Sequence, residues 1–105
     1  MMRPRQSRRF AVQLPAVYAV GNDRHGATIL NLSAQGCAVT AERLPAAAAY
    51  VSLEVVLLND MPPVAVELAA VRWVADHRCG LEFIRMAPAM SSRLKAFVDL
   101  LESTP

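Results

Sequence analysis

Between Phe10 and Val20 every second residue is apolar: Phe10, Val12, Leu14, Ala16, Tyr18 and Val20. Successive side chains of an extended chain point to opposite faces, so this period fits a strand with one face on a core. Pro15 interrupts the run, which predicts an edge position or a bulge there. Turn residues Gly21 to Gly26 follow, and Ala27 to Leu32 resumes an extended pattern, making a hairpin. A short strand is expected from Cys37 to Ala41, and another where Val51, Leu53, Val55 and Leu57 alternate. Residues 42–49 read as a loop or helical turn, since Pro45 opposes a long helix. Val64 to Val74 and Arg78 to Met86 are β-rich runs joined at Ala75, Asp76 and His77. Only after Pro88 does the period change, with Met90, Leu94, Phe97, Val98 and Leu101 at helical spacing. The reading is an all-β fold with one C-terminal helix: a small closed antiparallel barrel, the helix packed on it or over one mouth.

A chain of 105 residues is one domain with a modest core. It contains no run of 18 apolar residues that could cross a bilayer, so membrane insertion is not expected. The basic start MMRPRQSRR lacks the apolar segment and cleavage site of a secretory signal, which leaves the cytoplasm as the expected location. Cys37 and Cys79 have no metal-binding or redox spacing and read as small buried side chains. The net charge of +2 hides an asymmetry: four of eleven cations, Arg3, Arg5, Arg8 and Arg9, lie in the first ten residues. The rest of the chain carries seven cations against nine acids. Such a distribution lacks the basic track that a long nucleic acid needs and suits a small polyanion.

Two stretches carry chemistry. Arg5 and Arg9 stand at the entry to the first strand, where guanidinium groups can pair bidentately with phosphate, reach a guanine O6/N7 edge and stack on flat rings. Taken alone they are equally a solvated basic terminus. In NLSAQG, Asn31 offers amide donors and an acceptor, Ser33 a hydroxyl, and Gly36 backbone freedom, a set able to read a base edge. By itself this is more often a turn that bonds its own backbone.

Together the stretches resemble the PilZ family, whose signature is RxxxR followed roughly 20 to 30 residues later by [DN]xSxxG. Here the elements are Arg5 Gln6 Ser7 Arg8 Arg9 and Asn31 Leu32 Ser33 Ala34 Gln35 Gly36. Arg9 Phe10 Ala11 Val12 and Gly80 Leu81 Glu82 Phe83 extend the likeness over most of the chain. The resemblance implies a six-stranded PilZ-type β-barrel that binds cyclic di-GMP, a second messenger with two phosphates and two guanines. Carried over by position, Arg5 and Arg9 would contact phosphate and guanine, Asn31 and Ser33 would hydrogen-bond guanine, and Gly36 would shape the turn. Arg8 is an additional cation whose role the pattern does not fix. On this reading residues 1–9 are a flexible ligand clamp, 10–87 the barrel, and 88–105 the helix of the same domain.

The expected protein is a non-enzymatic cyclic di-GMP receptor or adaptor with no cofactor, signalling to an effector protein by ordering its N-terminal segment. Self-association into a homodimer is a second route of output, and motility or exopolysaccharide synthesis are the processes the family suggests. The alternative is a PilZ-fold interaction module that does not bind nucleotide. No nucleophile or acid–base pair is recognisable. His25 and His77 read as exposed turn residues, Asp76 and Glu82 as surface charges. Trp73 is expected to pack on the barrel in preference to lying at a ligand mouth.

Overall fold

The computed structural model describes residues 8–103, and these form six strands and one helix. In chain order they are β1 Phe10–Val20, β2 Asp23–Leu32, β3 Gly36–Thr40, β4 Tyr50–Val55, β5 Val64–Ala75, β6 Arg78–Arg85 and α1 Pro88–Ser103. The strands close into an antiparallel barrel in the order β1-β2-β3-β6-β5-β4, with β4 returning to β1. Closure removes every sheet edge and turns one face of each strand inward. Alternation in β1 holds as far as Tyr18, Ala16 and Tyr18 being buried while Ala11 and Gln13 face solvent, and it lapses at Val20, which is exposed at the hairpin end. Ile29, Leu32, Leu53 and Leu81 are essentially inaccessible and form the centre of the core.

With no edge available, Pro15 is accommodated by local register. β1 pairs with β4 only from Ala16 onward, and the Pro15 carbonyl accepts from the Val56 N–H just past the end of β4. The N–H that proline lacks would face the same side, where the ladder has already stopped. The irregularity in β1 lies earlier, between Ala11 and Leu14.

The first hairpin is tighter than its polar sequence suggests. Val20 pairs with Asp23, so the turn is only Gly21 and Asn22, with Gly21 at φ 59°. A glycine at the first turn position matches the right-handed twist of the flanking strands. His25 therefore lies within β2, not in a turn, with its ring centroid 5.1 Å from that of Tyr18. The β5–β6 turn is Asp76 and His77, Asp76 adopting φ 53°. Between β3 and β4 the chain is a loop, anchored where the Tyr18 hydroxyl donates to the Arg43 carbonyl at 2.6 Å. β4 stops at Val55, two residues before the alternation ends, although Leu57 still packs inside.

Pro88 opens α1, where a missing N–H costs nothing. Leu94 and Val98, one helical turn apart, join the barrel core, with Met90 and Phe97 packed at its margin. The Ala65 N–H reaches Met90 Sδ at 3.4 Å, and Arg93 donates to the Pro62 and Pro63 carbonyls. These contacts seat the helix against β5 and the loop before it.

Candidate functional site

Both motif stretches end at one place. Arg9, one residue before β1, donates from Nη1 to Asn31 Oδ1 at 2.9 Å. The same oxygen accepts the Ala38 N–H at 3.1 Å, so Asn31 Oδ1 holds an arginine and the start of β3 at once. Arg8 turns aside, its guanidinium 5.0 Å from the centre of the Phe10 ring. Arg5, and with it the expected clamp over residues 1–9 apart from Arg8 and Arg9, lies outside the described residues.

Ser33 is only 3% exposed and is committed to its own turn. Its hydroxyl accepts from the Gln35 and Gly36 N–H groups at 3.1 Å each and donates to the Gly36 carbonyl at 3.3 Å. A hydroxyl has one hydrogen and two lone pairs, so its capacity is used in full. The Ser33 N–H also donates to the Gly36 carbonyl at 2.9 Å, and the Gln35 carbonyl accepts the Phe83 N–H at 2.8 Å, which ties the turn to β6. Gly36 lies opposite Glu82, and a Cβ there would stand inside contact distance of the Leu81 carbonyl. Glycine is needed for close approach of two strands; no φ is the reason.

Next to this turn is a concavity of about 390 Å³, lined by Arg9, Ser33, Gln35, Arg72, Trp73, Gly80, Leu81 and Glu82. That is within the range of small-ligand sites. A β-bulge builds its far wall. Val71 pairs with Leu81 and Trp73 with Gly80, which leaves Arg72 as an extra residue. The bulge puts two consecutive side chains, Arg72 and Trp73, into the concavity. Trp73 is 44% exposed, and its indole covers Gly80 where any Cβ would stand. It thus packs on the barrel and lines the mouth together, where the sequence favoured packing alone. Arg72 Nε donates to Glu82 Oε1 at 2.5 Å, with both side chains about half exposed.

Sequence reasoning missed Arg72 and treated Glu82 as a surface charge; both line the concavity. The available signal was the Trp73 to Gly80 pairing, a large aromatic opposite a glycine, but a bulge has no reliable sequence mark. The assembled groups present two guanidinium groups, an indole face, a carboxylate and a rigid turn. That set can hold an anion and a planar ring side by side.

Among the described residues no group of three His, Cys, Asp or Glu side chains could hold a metal ion, and no helix is long and apolar enough to cross a membrane. Cys37 and Cys79 are buried and unbridged, as their spacing suggested. Burial pushes the Cys37 thiol up to about 12, Cys79 adding to the rise and Arg9 opposing it.

The family model of the PilZ domain matches residues 3–100. A search of curated protein sequences finds no match. Among solved structures, the chain is similar to the Bacillus subtilis inhibitor of motility MotI/DgrA, at 18% identity and TM-score 0.78, covering 99% of this chain and 55% of that one. It is similar to the PilZ domain of CeSA from a cellulose-synthesizing bacterium, at 17% identity and TM-score 0.70, covering 91% and 99%. YcgR from Escherichia coli, solved in complex with c-di-GMP, matches at 16% identity and TM-score 0.71, covering 93% and 46%. The chain therefore spans about half the length of MotI and of YcgR. At these identities the likeness is one of fold.

Proposed function

The chain belongs to the PilZ domain family, and from that premise we propose that it is a non-enzymatic receptor for cyclic di-GMP, which binds in the concavity between Arg9, the 33–36 turn and Trp73. The observation that carries this reading is the 2.9 Å bond from Arg9 to Asn31, which joins the two halves of the motif at the edge of a site of suitable size. In the complex Arg9 and Arg5 pair with phosphate oxygens, and a guanine lies on the exposed indole of Trp73. Asn31 keeps its amide hydrogens available to the ligand, since among the described residues only its oxygen is engaged. Ser33 and Gly36 contribute by fixing the turn. Output passes to an effector protein, which reads the surface changed when residues 1–9 engage the ligand.

Calorimetric titration of the protein with cyclic di-GMP tests this, with GTP and cyclic di-AMP as controls and an Arg5→Ala/Arg9→Ala variant beside it. Selective binding at micromolar or lower concentration, lost in the variant, is the expected result. Removing either arginine singly should weaken binding about 10- to 100-fold, the worth of one charge-assisted bond. Absence of heat together with absence of binding by a second method would leave a PilZ-fold interaction module that takes no nucleotide.

A further inference from the structure

We infer that Glu82, positioned by Arg72, is the residue that selects guanine over other bases in this site, an inference that rests on the receptor reading above. A guanine presents two donors on its Watson–Crick edge, N1–H and the 2-amino group, beside the O6 acceptor. Reading it there requires acceptors on the protein. Most polar groups around the concavity cannot supply them. Arginine has no acceptor, which removes Arg9 and Arg72. Both lone pairs of the Ser33 hydroxyl are taken by the Gln35 and Gly36 N–H groups. Asn31 Oδ1, at the rim, already accepts from Arg9 and Ala38. That leaves Gln35, whose side-chain amide can accept or donate and so does not discriminate between bases, and Glu82, the one carboxylate among the lining residues. Its Oε1 receives Arg72 Nε at 2.5 Å, and no other hydrogen bond to it occurs among the described residues.

Position agrees with chemistry. Glu82 pairs across the sheet with Gly36 and with Ala70, so it stands beside the motif turn. It is two residues along β6 from Gly80, on the same outward face, and Gly80 is the floor beneath the Trp73 indole. Two strand residues span about 7 Å, a spacing that a stacked purine and one hydrogen bond bridge. The bulge at Arg72 gives the carboxylate a fixed partner and leaves one oxygen free. A carboxylate in an anion site repels phosphate, so its place here is intelligible if it faces a base, with Arg72 offsetting its charge. The free oxygen accepts from the 2-amino group and N1–H together; inosine lacks the first of these donors, and adenine would turn a lone pair on N1 and a bare C2–H toward the same oxygen, which makes the group discriminate by repulsion as well as attraction.

The test is titration of the wild type, Glu82→Gln and Arg72→Gln with cyclic di-GMP, cyclic di-AMP and cyclic di-IMP, whose inosines lack the 2-amino group. Wild type should prefer cyclic di-GMP over cyclic di-IMP by about tenfold or more, the worth of one hydrogen bond to a charged group. In E82Q affinity for cyclic di-GMP should fall about 10- to 100-fold, and the guanine-to-inosine ratio should fall toward one. Binding of cyclic di-AMP should hold or rise, because a glutamine amide can donate to adenine N1. R72Q should lower the same ratio in part, with R72K restoring some of it, since the arginine acts through the carboxylate. E82Q alters no buried atom, and an unchanged thermal melt confirms that the fold is intact. A wild-type protein that binds cyclic di-GMP, with a guanine-to-inosine ratio the same in E82Q, overturns this inference alone. A wild-type protein that binds none of the three dinucleotides overturns the receptor reading and this one with it.

Discussion

At the scale of single residues, the motif turn divides into groups that hold shape and groups that face outward. Ser33 and Gly36 belong to the first kind. Replacing Ser33 by Ala removes the acceptor for two N–H groups, one of them at the buried Gly36. A buried donor left unpaired costs about 1 to 3 kcal/mol, so Ser33→Ala should lower the urea midpoint by a corresponding amount before any ligand is added. Gly36→Ala should destabilise by about 1 to 3 kcal/mol for a different reason, because the new methyl group meets backbone, the Leu81 carbonyl, and β3 must move off β6. Both variants are to be measured without ligand; wild-type midpoints would mean that the turn relaxes and that these two residues act on the ligand directly. Arg9 is exposed, and Arg9→Ala should leave the urea midpoint near that of wild type.

At the scale of elements, the bulge in β5 and the glycine opposite it work as a pair. A side chain at residue 80 would occupy the space of the Trp73 indole, which is the free end of a side chain and can swing away. Gly80→Val should therefore evict Trp73 at little cost in stability, valine being well suited to a strand. If Trp73 is the surface on which a guanine stacks, Gly80→Val and Trp73→Ala should weaken cyclic di-GMP to a similar extent, about 1 to 3 kcal/mol. Indole fluorescence reports the displacement, and wild-type affinity in Gly80→Val would show that the indole is not the platform. This pair also marks where sequence reading stops. Strand existence was legible because inward and outward residues alternate, as from Phe10 to Tyr18, and the helix because Leu94 and Val98 return each turn. The two halves of the motif were legible by residue type and order. Arg72 and Trp73 were not, because a bulge adds one residue without altering composition, and strict alternation would send one of the two inward. The polar run through His25 misled for a related reason: at a hairpin's exposed end both strands carry polar residues, and only Gly21 reports how short the turn is.

For the whole molecule, barrel closure has a consequence for its acid–base behaviour. Cys37 and Cys79 both point into a core without an edge through which water could reach them, and both are wholly inaccessible. Burial holds the Cys37 thiol protonated up to about 12, against an ordinary value of 9.0, and it raises Cys79 as well. In the unfolded chain both thiols lose their protons near the ordinary value. Above pH 9 the folded state therefore binds more protons than the unfolded state, and stability falls as pH rises. The contribution is fully present below pH 9 and is lost progressively between 9 and about 12. For Cys37 alone the slope approaches about 1.4 kcal/mol per pH unit within that window. Urea denaturation at pH 8, 9, 10 and 10.5 should show this decline, and the Cys37→Ala variant, though less stable at pH 8, should show a shallower one. Tyr18 contributes to the same decline, since burial raises its hydroxyl too, so the comparison of slopes isolates the thiol. The same enclosure predicts that a thiol reagent such as 5,5′-dithiobis(2-nitrobenzoate) modifies the folded protein only at the rate at which the barrel opens; on the proposed receptor reading, cyclic di-GMP slows the reaction in proportion to occupancy. Rapid modification of both thiols at pH 8 in the absence of denaturant would mean that the barrel opens locally near β3 and β6, the two strands that carry the cysteines and border the proposed ligand site.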